Sequence, residues 1–405
     1  MAFQQGLSGL NSASKNLDVI GHNIANGNTV GMKSSRGEFG ELYASSVNAA
    51  GGVNSGIGVA MTAVTQTFTQ GNITVTGNDL DVAINGSGFF EITMPNGGVS
   101  YTRAGMFKLD RDGNVVNNQG AQLMGYPTDQ DGVRLSFETQ PLTLPTGGPI
   151  PAQQTALITA EFNLDARAPI AATQVPPTPL STYGTSLIAY DAQGLEVPVA
   201  LAFEKTGNNT WDVYVGVNGA DPALGGPQFA MTFNADGTLA SPLAFPSITL
   251  ASPNDPALTF PADLDLSDVT QFGTNFAVTN LVQDGFRPGQ FIGLKINENG
   301  VVTGQYSNGQ TRAAGQIALV NFRNAQGLQP TGGGNWSATF TSGEALRGEP
   351  GTGNFGALRS GALEDSNVDI TAELVNMMTA QRAYQANAQT IKTQDQVLST
   401  LLNMR

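Results

Sequence analysis

The chain has 405 residues, with 18 Lys+Arg against 32 Asp+Glu, a formal net charge of −14, 50 Gly, 21 Pro, one His and no Cys. That acidity disfavours nucleic acid and anionic membrane surfaces as partners, and the lack of Cys removes disulfides, thiolate nucleophiles, Cys–zinc sites and iron–sulfur clusters. A lone His excludes multi-histidine metal sites, no apolar run approaches the ~18 residues of a membrane-spanning helix, and 40% apolar residues suffice for a folded core.

The chain opens with MAFQQGLSGLNSASKN, which lacks a basic stretch followed by an apolar one, so no ordinary secretory signal peptide is expected. Residues 1–30 hold no Pro, and Phe3, Leu10, Leu17 and Ile24 recur every seven positions. Leu7, Ser14 and Gly21 complete a heptad-like stripe, predicting a long helix with a coiled-coil-like seam.

From about residue 72 the period changes to two. Asp79-Leu80-Asp81-Val82-Ala83-Ile84 and Phe89-Phe90-Glu91-Ile92-Thr93-Met94 flank an Asn85-Gly86 turn signal. Val99–Arg103, Met106–Leu109, Val115-Val116, Trp211–Val217, Phe229–Phe233 and Phe291–Ile296 continue the series. Short strands between Gly, Asn and Asp turns, with no helical repeats among them, predict β-barrel or sandwich domains.

Residues 146–284 hold 14 of the 21 prolines and 13 acidic residues against two basic ones, Arg167 and Lys205, a net of −11. This segment reads as an acidic outer β-domain inserted into a first β-domain formed by 72–145 and 285–330. Segments 31–71 and 331–361, rich in Gly, Ser and Thr, read as joints. Residues 1–30 and 362–405 together form a helical domain. In the C-terminal stretch Ile370, Met377, Tyr384, Ile391 and Leu398 repeat every seven positions, with Leu374, Gln381, Ala388, Asp395 and Leu402 four places on. Asp365, Ser366 and Asn367 are candidate N-caps, and Asp369 and Glu373 suit the positive end of the helix dipole.

Candidate chemistry is thin. Gly351-Thr352-Gly353-Asn354-Phe355-Gly356 matches a dinucleotide-type glycine pattern but lacks the strand–helix context that makes it bind pyrophosphate, and reads as a Gly-rich joint. Asp110-Arg111-Asp112-Gly113-Asn114 lacks most ligands of a calcium loop and reads as a β-turn. His22 sits near the end of a terminal helix, where no buried carboxylate orients it for catalysis. Two Trp and eight Tyr leave little material for a sugar-stacking cleft. The chain is therefore read as a non-enzyme with no catalytic residues, cofactor or metal. Ser14, Gly21, Gln381 and Asp395 interrupt both stripes, so the helices are expected to fray in the monomer and to order on polymerisation.

Leu17-x-x-Ile20-x-x-Asn23-Ile24-Ala25-Asn26-x-Asn28-Thr29-x-Gly31-x-Lys33 resembles the N-terminal signature of bacterial flagellar rod and hook axial proteins. Ser366-Asn367-Val368-Asp369, Glu373-Leu374-Val375-Asn376-Met377 and Gln381-Arg382-Ala383-Tyr384-Gln385-Ala386-Asn387 resemble the C-terminal one, and Asp79–Phe90 with Tyr101-Thr102-Arg103-Ala104-Gly105 is similar to the family's β region. Met32 departs from it, standing where an aromatic residue commonly follows the Gly. Rod members are much shorter, so a chain of this length with one acidic insertion is most similar to the hook members. The resemblance implies a structural subunit that self-assembles into a curved, flexible tube, the universal joint between rod and filament. By that resemblance Phe3, Leu7, Leu10, Leu17, Ile24, Ile370, Leu374, Met377, Tyr384, Ile391, Leu398 and Leu402 face sister copies, and Asn23, Ile24, Ala25, Asn26, Asn28, Thr29, Gly31 and Lys33 form the family motif. It also implies further partners in the distal rod, hook cap and hook–filament junction proteins and the type III export apparatus. The location would be the extracellular flagellum, reached without a cleaved signal. With no Cys, the cross-linking chemistry of some hook proteins is absent. The competing readings are a distal-rod protein and a secreted β-rich carbohydrate-binding protein.

Overall fold

The structure, a computed structural model, describes residues 2–43, 56–144, 148–171 and 182–403. The expected start of the insertion at Thr146, residues 44–55 of the first joint, and Arg405 lie outside the described residues; Leu398 and Leu402 are placed by their backbone alone. The chain is mainly β with one long helix at each end, α1 (Ala2–Ala25) and α2 (Ile370–Asn403). It divides into two units, one of Met1–Gly147, Gly293–Gln305 and Thr311–Arg405, the other of Gly148–Ile292 and Tyr306–Gln310.

Alternation builds the second unit. Strand Glu196–Gly207 buries Val197, Val199, Leu201 and Phe203, and strand Leu157–Asp165 buries Ile158, Ala160, Phe162 and Leu164. These strands belong to two five-stranded sheets, and their inward residues join Trp211, Val213, Met231, Leu250 and Leu264 in one core, a sandwich. Trp211 is fully buried and donates its indole N–H to Gln271 Oε1 at 3.1 Å.

In the first unit, β1 (Ser35–Tyr43) and β2 (Gly56–Gln66) form an antiparallel ribbon, so much of the expected first joint is regular strand. β3 (Ile73–Val75) pairs with Ala362–Glu364, and β4 (Val82–Asn85) with Ala357–Ser360. β5 (Phe89–Thr93) lies in the large sheet beside β6 (Val99–Thr102). The Asn85-Gly86 signal therefore does not close a β4–β5 hairpin: the two strands part into different sheets. The expected second joint contains the strands Asn335–Ser337, Leu346–Gly348 and Ala357–Ser360. Residues 362–369, expected as helix, hold a strand and the approach to α2. The Asp110 turn does join strands Lys108-Leu109 and Val115-Val116. Its carboxylate accepts from the Asp112 and Asn114 N–H groups and from Asn114 Nδ2 at 2.8–2.9 Å. The Gly351–Gly356 segment leads into a strand, with no helix following it.

Several carboxylates of the second unit hold its turns. Burial alone would push Asp191 up, but hydrogen bonds from Ser252 Oγ, Leu195 N and Gln193 N outweigh it and hold the group below its ordinary value. The Arg167 side chain lowers Asp165, and the Thr238 hydroxyl and N–H lower Asp236. A carboxylate depressed in the folded state stabilises above the ordinary carboxylate range, and that contribution is lost as pH falls through the lowered folded value. Trp211 emission, read in a Trp336→Phe background, is thus expected to give a melting temperature that is steady from neutral pH to about 5 and falls below about 4; Asp191→Asn should flatten part of that fall.

Candidate functional site

α1 and α2 run antiparallel. A Cβ at Gly6 would lie 3.1 Å from Ile391 Cγ1, one at Gly9 2.8 Å from Asn387 Oδ1, and one at Gly27 3.0 Å from Ile370 Cγ1. Asn23 Nδ2 donates to Glu373 Oε1 at 2.9 Å. As the α1 number rises the α2 number falls, with a nearly constant sum. The α1 seam is Gly6, Gly9, Ala13, Ile20, Asn23 and Gly27, so it is built mainly from small residues that let the two backbones approach. Ala13, Ile20 and Asn23 are buried. Ser12 Oγ meanwhile donates to Val59 O on β2 at 3.3 Å.

The stripe expected from the heptad spacing lies one residue further round, about 100° on a helix of 3.6 residues per turn. Phe3 and Leu7 remain 48% and 44% exposed, while Leu10, Leu17 and Ile24 are half-buried at the seam's edge. On α2, Ile370 and Ile391 do lie against α1, and Met377 and the exposed Tyr384 share their spacing. Their companions come three residues on, at Glu373, the buried Ala380 and Asn387, and not four. The expected companions Leu374, Gln381 and Asp395 are exposed, and Ala388 is half-buried. Leu374 (47%), Val375 (50%) and Met378 (52%) near the start of α2, and Val397 (49%) near its end, thus stay exposed outside the hairpin seam. Carrying the register on places Ala2 opposite Asp395, so the last turns of α2 extend beyond the start of α1.

α2 begins at Asp369, whose Oδ1 accepts from Thr371 N at 2.9 Å and Ala372 N at 3.1 Å. Asp365, Ser366 and Asn367 are not its caps. Asn367 turns back instead, accepting from Ser34 N at 2.7 Å and donating to Thr67 O and Thr69 Oγ1.

The motif after α1 packs tightly. Asn23 is 1% exposed; it accepts from Ser35 N and donates to Ser35 O besides Glu373. Ile24 is half-buried, and Ala25 and Asn28 are exposed. Asn26 donates to His22 O at 2.9 Å and accepts from Thr29 Oγ1. Gly31 has φ +72, and a Cβ there would lie 2.6 Å from Ala104 N, so only Gly fits. Lys33 is fully buried; its Nζ donates to Glu364 Oε1 at 2.6 Å and Thr69 O at 2.8 Å.

Glu364 is the central acceptor, with no exposure. Its Oε1 also accepts from Gly71 N, and its Oε2 from Arg103 Nη1 at 3.1 Å. Burial pushes both the Lys33 ammonium and the Arg103 guanidinium down, against the pull of Glu364. The guanidinium lies 5.3 Å from the centre of the Phe89 ring, and its Nε has no partner among the described residues. Sequence reasoning picked out Lys33 but missed Glu364; the available signal was a lone carboxylate inside the apolar strand Ala362-Leu363-Glu364.

His22 is exposed, and among the described residues no cluster of three His, Cys, Asp or Glu could hold a metal ion. No helix there is long and apolar enough to cross a membrane. What the geometry offers is adhesion through an apolar helical face.

Replacing Gly6 and Gly9 together by Leu should cost about 1–3 kcal/mol of helix docking by overpacking, despite the ~1 kcal/mol helix-propensity gain per Gly replaced. Phe3→Ser or Leu7→Ser should change monomer stability by less than about 0.5 kcal/mol. Helical circular dichroism during thermal unfolding checks both.

Four family descriptions match: Flagella basal body rod protein over residues 3–33, Flagellar hook protein FlgE/F/G D1 domain over 83–159, Flagellar basal body protein FlaE D2 domain over 163–286, and Flagellar basal body rod FlgEFG protein C-terminal over 359–404. The flagellar hook protein FlgE of Escherichia coli (strain K12) is 43% identical over 417 residues, covering 100% of both chains. That of Salmonella typhimurium (strain LT2) is 43% identical over 420 residues, again covering 100% of both. The Borreliella burgdorferi protein of the same name is 32% identical over 444 residues, covering 100% of this chain and 99% of its own. In fold alone, the crystal structure of Helicobacter pylori flagellar hook protein FlgE2 is similar, with a TM-score of 0.53, 15% identity, and coverage of 72% of this chain and 100% of that one.

Proposed function

Because this chain belongs to the flagellar hook protein family, we propose that it is the structural subunit that self-assembles into the flagellar hook, a curved flexible tube joining rod to filament. The observation that carries this reading is the apolar surface left over by the hairpin. α1 and α2 meet through small residues, and Phe3, Leu7, Leu374, Val375, Met378 and Val397 stay exposed in the single chain. Large apolar side chains left exposed at both ends of the hairpin suit covering by another macromolecule. In a homopolymer, sister copies cover them.

In the proposed assembly the helices line the inner tube, the first β-domain forms the middle layer and the acidic insertion the outer surface. The ends order fully when neighbouring copies pack on them. No chemical step is involved, and no catalytic residue, cofactor or metal is assigned. By family relationship, the other contacts are the distal rod, hook cap and hook–filament junction proteins. The subunit reaches the extracellular flagellum through the flagellar type III export apparatus without a cleaved signal.

Electron microscopy of the concentrated protein tests the reading, with curved tubes expected. Leu374→Ser/Met378→Ser should raise the critical concentration for tube formation by at least about tenfold, since two buried apolar side chains contribute about 1.5–3 kcal/mol each, while the monomer melts as before. Normal tubes from that variant, or a wild-type chain that stays monomeric at high concentration, would overturn it.

A further inference from the structure

The Lys33–Glu364–Arg103 cluster lies outside the polymerising face, yet it sits at the root of the helical hairpin and draws on both ends of the chain. Lys33 and Glu364 are 331 positions apart. Gly31 N donates to Glu364 O at 2.7 Å, Asn367 Oδ1 accepts from Ser34 N at 2.7 Å, and Asn23 reaches Glu373 at 2.9 Å. Four successive links therefore tie the turn after α1 to the approach and first turn of α2.

We infer that Glu364, Lys33 and Arg103 are positioning residues that act as a two-ended latch, fixing the α1–α2 hairpin in its assembly-competent pose only once segments 31–34 and 362–373 have folded together. The inference rests on the proposed polymerisation only in what the pose is for.

The argument is one of charge balance. Without Glu364, docking residues 31–34 would bury the Lys33 ammonium beside the Arg103 guanidinium, with Thr69 O and the Phe89 ring as their remaining partners. Two like charges brought out of water without an anion oppose that docking. Conversely, before residues 31–34 dock, Glu364 still has Arg103 Nη1 and Gly71 N, a charge-balanced arrangement with one oxygen ready for Lys33. The N-terminal end is therefore costly to bury until Glu364 is in place, so it cannot set the direction of α1 alone. A chain lacking its last segment keeps α1 unoriented. Incomplete chains are thereby withheld from the polymer.

Two measurements on the full-length protein test this. Residue-resolved hydrogen exchange on monomeric Glu364→Gln should show α1 and α2 amides exchanging about tenfold faster or more than in wild type, with strand Gln122–Tyr126 and the second unit within about twofold. Equal acceleration everywhere would make Glu364 a general stabiliser and overturn the latch, as would no change. Pulsed exchange during wild-type refolding should show amides 31–34 gaining protection in the same phase as 362–364. Protection of 31–34 in an earlier phase would refute two-ended closure, and this arm stands even if the variant fails to fold. Neither readout involves polymer, so failure of the latch is distinguishable from failure of tube formation.

Discussion

A single carboxylate without access to water holds the two ends of this chain to one place. Glu364 accepts from Lys33, Arg103 and the Gly71 backbone, and among the described residues no other acidic group forms an ion pair with either cation. Buried ion clusters contribute little net stability, because desolvation offsets most of the attraction; removing one member costs about 3–5 kcal/mol because the others stay buried and unpaired. The benefit is geometric. A charge that is tolerable in only one arrangement fixes that arrangement, and here it fixes where two helices of 24 and 34 residues leave the β-domain.

The hairpin above that root divides its surface by side-chain size. Gly6, Gly9, Ala13 and Gly27 bring the α1 backbone close to α2, and the closeness itself supplies the dispersion contacts. Large residues in the seam would have consumed the apolar surface that the proposed polymer contact draws on. Placing them one position round keeps the monomer's own pairing and the outward face on separate stripes of one helix. The low charge and the interrupting Ser14 and Gly21, which make the outward stripe a poor two-stranded coil, then suit a face shared among several neighbours.

The helices and most strands were legible because their periods are local properties of the sequence. Trp211–Val217 and Phe229–Phe233 declare their strands through alternation alone, and the Asp110 turn through its Asx chemistry. The seam was not legible. Heptad reading weights large apolar residues, and the observed contact uses Gly and Ala, which carry no periodic hydrophobic signal. The Asn85-Gly86 pair misled for another reason: β4 finds its partner at Ala357–Ser360, far along the chain, and no local pattern reveals that. The three candidate caps, Asp365, Ser366 and Asn367, did not include Asp369, and nothing local reveals that Asn367 is committed to Ser34, Thr67 and Thr69 by tertiary contacts. Glu364 carried one local signal, a carboxylate in an apolar strand, but its partners come from three separate segments that no local pattern joins.

The acidity of the second unit has the same double character as the latch. Asp191, Asp236, Asp255 and Asp265 each accept backbone N–H groups within their own turns, and Asp284 accepts from Ala156 and Leu157. For Asp191 and Asp236 those bonds hold the carboxyl below its ordinary value, so turn and charge support each other there. At neutral pH residues 146–284 carry a formal net charge of −11. In the proposed tube, that charge would act between neighbouring copies over about 8 Å at physiological salt, enough to oppose lasting contact between their acidic units. The proposed bending joint would draw on that contrast: apolar adhesion at the chain ends, and short-range repulsion between the acidic units.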